Sequence, residues 1–333
     1  MRYNNNIKTL NEYEIASEII KGNKIILSKI ITYLESTRIE HNIIADKVLE
    51  LVQNNTGNSI RIGITGIPGV GKSTFIESLV KYILQFNKKV AVLAIDPTSN
   101  KTKGSILGDK TRMQEISNNE DVFIRPSPAG NELGGVSKKT RETILLCEAC
   151  GFDTIFVETV GVGQSEITVE YMVDVFLLLM LSSAGDELQG IKKGIMEMAD
   201  IIVINKAVNK NDIKANKAIA NYKNALHYMQ EKESKWITQV TSCSALNNYN
   251  IDNVWDNIIQ YSKHTKKNNF WYFNRNTQSI YWIKKIINEK LLKEFYENFH
   301  VKQALQSVEK SVLEGKLDSY KAAEIVLKSE KTK

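Results

Sequence analysis

Gly66-Ile67-Pro68-Gly69-Val70-Gly71-Lys72-Ser73-Thr74 fits the pattern G-x-x-x-x-G-K-[ST] at each of its fixed positions. An apolar, strand-like run at residues 60–65 precedes this stretch, and a helical run at residues 74–86 follows it. The glycines allow a backbone curl in which successive N–H groups point at one anion, and the start of the helix adds positive potential. We therefore predict that residues 66–74 cradle nucleotide phosphates, with Lys72 reaching the β- and γ-phosphates and the Ser73 hydroxyl binding Mg²⁺.

The composition is that of an ordinary globular protein, and it argues against several classes of function. The 333-residue chain is 42% hydrophobic, and its net charge of +6 is spread without a dense basic tract, so nucleic-acid binding is not indicated. The N-terminus lacks the apolar core of a signal peptide, and the longest apolar run, residues 175–181, is too short to cross a bilayer. We expect a cytoplasmic protein without a membrane partner.

Three cysteines are too few for a disulfide framework, although Cys147 and Cys150 form a C-x-x-C pair. This pair lies in a helix-like stretch, and the sequence offers no second pair to complete a zinc site. Both thiols are therefore expected to be structural, and a zinc or redox pair is the alternative.

Strand-like and helical runs alternate between residues 59 and 264, which predicts an α/β P-loop domain with a mostly parallel central sheet flanked by helices. The predicted strands are apolar on both faces, as in a buried parallel sheet. They are residues 60–65, 90–95, 122–125, 154–158, 175–181, 201–205 and 237–241.

The pattern of residues 1–58 predicts an N-terminal helical layer. Residues 265–333 carry two apolar helical stripes and predict a helical segment that packs on the core or on another subunit.

Acidic residues stand where predicted strands end. Asp96 ends the second strand, Asp109 lies in the glycine-containing loop that follows, and Glu158 ends the fourth strand. Ligands of parallel sheets bind beyond the carboxyl ends of the strands, so we expect these carboxylates to hold Mg²⁺ or to orient the attacking water. Asp96, which precedes Pro97, is alternatively a turn residue. Gln164 either positions the attacking water or caps a helix.

Asn205-Lys206, at the end of the sixth strand, begins the base-recognition signature of GTPases, in which Asn holds the loop and Lys lies along the purine. The fourth position, where an aspartate would accept two hydrogen bonds from guanine, is Val208. A valine accepts none, so we expect weakened discrimination between GTP and ATP unless Asp212 reaches the base on a rearranged loop. The stretch Ser244-Ala245-Leu246 is expected to place a backbone amide at the base O6.

Several long segments taken together resemble one family, the MeaB/ArgK-type P-loop GTPases of the SIMIBI class, which are associated with methylmalonyl-CoA mutase. These segments are residues 63–74, 96–113, 133–148, 157–166 and 178–206. Stretches such as Gly134-Gly135-Val136 and residues 139–143 are more specific than a phosphate loop alone. The similarity extends over nearly the whole chain, and Val208 departs from it, because the family carries aspartate there.

The resemblance implies a homodimeric GTPase that binds GTP, GDP and Mg²⁺ and escorts an adenosylcobalamin-dependent acyl-CoA mutase. Such proteins gate cofactor loading and protect the mutase from inactivation. By matched position, the metal and catalytic carboxylates of the family fall on Asp96, Asp109 and Glu158, with Lys72 on the phosphates and Ser73 on Mg²⁺.

The same resemblance makes residues 182–192 an extra switch that senses the mutase, and residues 265–333 a dimerisation arm. Three alternatives remain open. They are a metal-insertion GTPase of the hydrogenase or urease maturation kind, which would need a Cys/His-rich site; a small-molecule kinase; and a non-hydrolysing scaffold, to which Val208 is the hint.

Overall fold

Seven parallel strands form the central sheet. They are β1 (Ile60–Gly66), β2 (Val90–Asp96), β3 (Val122–Pro128), β4 (Thr154–Glu158), β5 (Val175–Leu181), β6 (Ile201–Asn205) and β7 (Gln239–Ser242). Their spatial order is β3-β2-β4-β1-β5-β6-β7, which places β1 at the centre. The structure, a computed structural model, describes residues 6–96, 113–128, 135–159, 165–182 and 193–330.

Helices connect the strands and extend the chain at both ends. They are α1 (Glu12–Ile20), α2 (Lys24–Leu34), α3 (Ile39–Val52), α4 (Lys72–Leu84), α5 (Gln114–Ser117), α6 (Gly135–Ala149), α7 (Ser165–Glu170), α8 (Lys193–Met198), α9 (Ile213–His227), α10 (Ile251–Lys267), α11 (Phe270–Glu297), α12 (Phe299–Leu313) and α13 (Ser319–Ser329). None of the helices in the described ranges is long and apolar enough to span a membrane.

The strands are buried on both faces, as their unbroken apolar runs predict. In β5, Leu177 and Leu179 join a core that includes residues of α4 and α10. The alternate residues Leu178 and Met180 join a second core with α8 and α9. The α/β class, the parallel sheet and the flanking helices predicted from the sequence are confirmed.

Three aspartates fix the register of the sheet at the edge where its strands begin. Asp153, Asp174 and Asp200 each precede a strand, and the carboxylate of each accepts a backbone N–H from the neighbouring strand or the residue just before it. The donors are Lys89, Arg61 and Phe176, each at 2.9 Å. The N–H of each aspartate donates back to the carbonyl oxygen of the same partner at 2.8–2.9 Å. A one-residue slip would break both bonds of each pair.

Several predicted boundaries differ from the structure: β1, β2, β3 and β7 end one to three residues later than predicted, α4 ends at Leu84 rather than at residue 86, and two starts also differ. The last strand begins at Gln239 rather than at residue 237, because its pairing with β6 starts there and Thr238 instead donates its hydroxyl to the Ala199 carbonyl at 3.0 Å. Helix α4 begins at Lys72 rather than at residue 74. Lys72 and Ser73 therefore lie in its first turn.

The chain separates into two compact units, residues 1–276 and 277–333. In the first unit, α1, α2 and α3 pack against one another and against α6. In the second unit, α12 and α13 form a helical hairpin around a small apolar core. That core consists of Val301, Val308, Ala322 and Val326. The domain boundaries predicted at 58/59 and 264/265 stay predictions.

Two buried ion pairs join distant segments at the edge where the strands begin. Arg61 donates to both carboxylate oxygens of Glu148 at 2.9 and 2.8 Å, and Arg275 donates to both oxygens of Asp174 at 2.7 Å. The Arg275 guanidinium also donates to the Ser59 carbonyl at 2.8 Å. Because the Glu148 and Asp174 side chains are only 0% and 2% exposed, each carboxylate depends on its arginine for charge compensation.

We expect Arg275→Ala to lower the free energy of unfolding by about 3–5 kcal/mol, because Asp174 is left charged and buried without its cationic partner. The control is Lys47→Ala, which removes an exposed pair with Glu50 and should leave the free energy of unfolding close to that of the wild type. Urea denaturation followed by tryptophan fluorescence measures both variants. Equal stabilities of the two variants would contradict the role assigned to the buried pair.

Candidate nucleotide-binding site

The phosphate loop, residues 66–71, leads from the central strand β1 into α4. At Gly66 a Cβ atom would lie 2.5 Å from the carbonyl oxygen of Leu179, so the position has no room for a side chain. Gly71 is the N-cap residue of α4 and adopts a φ of +92°, a left-handed conformation that favours glycine. These two glycines set the turn that brings the start of α4 to the carboxyl end of β1.

Three side chains bind carbonyl oxygens of the phosphate loop. The pairs are Lys72 with Gly66 at 2.9 Å, Lys206 with Gly69 at 2.8 Å and Asn205 with Val70 at 2.9 Å. A trans peptide carries its C=O and N–H on opposite sides. Holding the carbonyl oxygens in this way favours a loop conformation in which N–H groups converge on a bound anion.

Asn205 also connects the phosphate loop to the turn after β7. Its Oδ1 accepts the Ala245 N–H at 3.2 Å and the Cys243 thiol at 3.6 Å, and the side chain is buried. Lys206 follows Asn205 with a left-handed φ of +64°. The structure thus brings Asn205, Lys206 and Ala245 together beside the phosphate loop.

The neighbours of Ala245 differ in exposure. Ser244 is buried and exchanges two backbone hydrogen bonds with Tyr249 at 3.0 Å, which closes the turn. Leu246 is 82% exposed. The backbone of the turn is therefore fixed while the Leu246 side chain stays accessible, as a residue that borders a bound base should be.

Ser73 and Glu158 lie together at the metal side of the site. The Ser73 hydroxyl donates to Glu158 Oε1 at 3.3 Å. Hydroxyl and carboxylate oxygens are the ligands that Mg²⁺ prefers, so this donor pair fits a magnesium ion.

Other predicted residues of the metal side and the switches fall outside the described part of the chain. These are the side chain of Asp96 and the whole of Asp109, Gln164 and residues 183–192. The backbone of Asp96 ends β2, which pairs with β4, the strand that carries Glu158. The roles of these residues stay predictions.

Val208 and Asp212 contact each other through the backbone. The Val208 side chain is 70% exposed, and its N–H donates to Asp212 Oδ2 at 3.0 Å. Asp212 is the N-cap residue of α9, and its Oδ1 accepts the N–H groups of Lys214 and Ala215, both at 3.0 Å. The hydrogen bonds from the Val208 and Ala215 N–H groups lower the pKa of Asp212. Asp212 is therefore an ionised helix cap.

The C-x-x-C pair has the properties of structural thiols. Cys147 and Cys150 are both buried, and burial raises the pKa of Cys150 to about 12 and that of Cys147 well above its ordinary value. Thiolate formation, which metal binding and redox chemistry require, is thereby disfavoured. In the part of the chain that the structure describes, no three His, Cys, Asp or Glu side chains gather into a metal-binding group.

Sequence reasoning missed two functions of site residues. It placed Lys206 along the purine but did not foresee its contact with the Gly69 carbonyl, which lies 137 residues away in sequence. It considered Asp212 only as a displaced base acceptor. The signal for the cap was present, because an aspartate directly before a helical run is a typical N-cap residue.

Comparisons with known proteins place the chain among GTPases. A family model described as "Methylmalonyl Co-A mutase-associated GTPase MeaB" matches residues 27–300. The chain is 43% identical to the GTPase ArgK of Escherichia coli K12 over 87% of this chain and 88% of that protein. It is 38% identical to the mitochondrial methylmalonic aciduria type A homolog of Mus musculus, over 95% and 78% respectively. The crystal structure of a LAO/AO transport system kinase matches with a TM-score of 0.76 at 33% identity, over 98% and 99%.

We expect Asn205→Ala to weaken GDP binding at least about tenfold, because the Val70 carbonyl and the Ala245 N–H both lose a buried partner. Asn209→Ala is the matched control, since the Asn209 side chain is exposed and accepts a local N–H from Asn211. Isothermal titration with GDP measures both variants. Wild-type affinity in Asn205→Ala would show that this side chain does not organise the loop.

Proposed function

Because the chain belongs to the MeaB family of methylmalonyl-CoA mutase-associated GTPases, we propose that it is a Mg²⁺-dependent GTPase chaperone of an adenosylcobalamin-dependent acyl-CoA mutase. It gates the loading of the cobalamin cofactor and protects the mutase from inactivation. Guanine-nucleotide binding and GTPase activity belong to the family as such. What we propose beyond these family properties is that the chain acts on the mutase, requires Mg²⁺ and forms a homodimer.

The extent of the family match is the observation that carries this proposal. The match runs over residues 27–300, from within α2 to the start of α12, so it includes helices that the nucleotide site does not need. A phosphate loop alone would support only a general nucleotide-binding role. A match that also covers the flanking helices supports the specific task after which the family is named.

Lys72 and the phosphate-loop backbone bind the triphosphate in this proposal. The ammonium group of Lys72 exchanges the Gly66 carbonyl, which it contacts at 2.9 Å, for β- and γ-phosphate oxygens. Asn205 and Lys206 stay on the carbonyl oxygens of Val70 and Gly69. The loop therefore keeps its shape when Lys72 moves, and its N–H groups need no rearrangement to bind phosphate.

Ser73 and Glu158 hold the magnesium ion, and Asp96 and Asp109 complete the acidic set as the family resemblance implies. When bound, the ion neutralises charge on the phosphate oxygens. Glu158 accepts the Ser73 hydroxyl at 3.3 Å, which orients that hydroxyl. Hydrolysis then depends on positioning and electrostatics, so the intrinsic rate is slow and a partner can raise it.

The second unit, residues 277–333, supports the homodimer. A groove of about 640 Å³ lies within it and is lined mainly by apolar side chains of α12 and α13. Leu313 and Leu327 border this groove and are 89% and 59% exposed. Exposed apolar surface of this kind marks protein interfaces. We assign it to contact with a second copy of the chain, as the dimerisation arm of the family implies.

The dimer is tested in the full-length chain. The double variant Leu313→Asp/Leu327→Asp should run as a monomer in light scattering at a concentration where the wild type runs as a dimer, because two carboxylates would be buried in the contact. The control is Ile39→Asp, which changes an exposed apolar residue of the first unit. This variant should stay dimeric. A dimeric double variant would place the interface elsewhere.

The mutase role is tested by the rate of GTP hydrolysis with and without purified adenosylcobalamin-dependent methylmalonyl-CoA mutase. We expect the mutase to raise the rate at least about fivefold, which corresponds to about 1 kcal/mol of transition-state stabilisation. Lys72→Ala and Glu158→Ala should show neither basal nor stimulated turnover. Lys81→Ala should behave as wild type, because Lys81 pairs with Glu77 and Glu115, which lie outside the phosphate loop. A rate that the mutase leaves unchanged would contradict the proposed function.

A further inference from the structure

The base end of the nucleotide site is fixed, but one position lacks an acceptor. The side chains of Asn205 and Lys206 donate to carbonyl oxygens of the phosphate loop at 2.9 and 2.8 Å. The Ala245 N–H donates to Asn205 Oδ1 at 3.2 Å. Val208 follows on the same loop with a hydrocarbon side chain that is 70% exposed. The loop is therefore held in place beside the phosphate loop, while the side chain of residue 208 offers a purine no polar group.

The missing acceptor concerns one edge of the base. The 6-oxopurines share N1–H and differ at position 2, where guanine has an amine, hypoxanthine a hydrogen atom and xanthine an oxygen atom. A carboxylate at residue 208 would accept the N1–H and the amine together and would repel the xanthine oxygen. Valine does neither. Residue 208 therefore gives the site no means of distinguishing the three bases.

Asp212 does not replace the missing carboxylate. Its Oδ1 accepts two backbone N–H groups at 3.0 Å, and its Oδ2 accepts the Val208 N–H at 3.0 Å. Each carboxylate oxygen has about two acceptor sites, so Oδ1 is filled and only Oδ2 has capacity left. The paired N1–H and amine of guanine require one acceptor on each oxygen. Asp212 cannot supply both while it caps α9.

We propose that this chain binds 6-oxopurine nucleoside triphosphates without discrimination at purine position 2, so that ITP and XTP bind as GTP does. The inference rests on the proposed function, because it concerns the same nucleotide site. Water reaches the exposed edge at Val208 and hydrates the guanine amine, so GTP is not penalised. Position 6 is left to the backbone N–H of Leu246, since those of Ser244 and Ala245 donate to Tyr249 and Asn205, and all three bases present an oxygen atom there.

The test compares affinities for GTP, ITP and XTP, each with Mg²⁺, in the wild type and in Val208→Asp. We expect the three affinities of the wild type to agree within about threefold. In Val208→Asp, GTP should bind at least about tenfold more tightly than ITP, because a hydrogen bond to a charged acceptor contributes on this order, and XTP should bind more weakly than ITP. The Val208 backbone is anchored by Asp212, so the substitution leaves the loop in place.

Val208→Ala is the matched control, and it should keep the wild-type ratios because alanine also accepts no hydrogen bond. A wild type that binds GTP at least about tenfold more tightly than ITP would overturn the inference, and loss of that preference in Asp212→Ala would identify Asp212 as the acceptor after all. Equal GTP-to-ITP ratios in the wild type and Val208→Asp would also overturn it, since residue 208 would then not face the base. These affinities are measured without mutase. The proposed function is tested separately by whether the mutase raises the rate of GTP hydrolysis, so the two can fail independently.

Discussion

The orientation of the phosphate-loop peptides is the constraint on which the rest of the site depends. N–H groups converge on a phosphate more readily when the carbonyl oxygens of the same segment are held by partners on the opposite side. Lys72, Asn205 and Lys206 supply these partners, at 2.9, 2.9 and 2.8 Å. Two of the three come from the end of β6. Asn205 and Lys206 therefore hold the phosphate loop in shape. The residues predicted to bind the base and the loop predicted to bind the phosphates form one structural unit.

The two edges of the sheet have different tasks. Where the strands begin, Asp153, Asp174 and Asp200 fix the register, and Arg275 compensates the buried charge of Asp174. Where the strands end, Asn205 and Glu158 lie at the carboxyl ends of β6 and β4, and they are among the residues that we propose to bind the nucleotide and its metal ion.

The sequence predicted most of the sheet, because unbroken apolar runs and a complete phosphate-loop motif are local signals. It also indicated Asn205 and Glu158 as candidate site residues through their positions at strand ends, and the structure places them in contact with Val70 and Ser73. It could not predict contacts between distant segments, such as Arg275 with Asp174, which are 101 residues apart. Nor could it tell that the Asp212 carboxylate is already engaged by three backbone N–H groups, since that depends on how the loop folds.

The central claim is that the phosphate loop holds N–H groups free to bind phosphate. Amide hydrogen exchange across this loop tests that claim most directly. We predict that the amides of Gly69 and of residues 71–74 exchange readily in the free protein and become protected when Mg²⁺ and GDP are added at saturation, whereas the Val70 N–H, which donates to the Ile67 carbonyl, is excluded from the comparison. We also predict that Asn205→Ala reduces this protection at saturating GDP. Amides that are already protected in the free protein, or that saturating GDP leaves unchanged, would contradict the account.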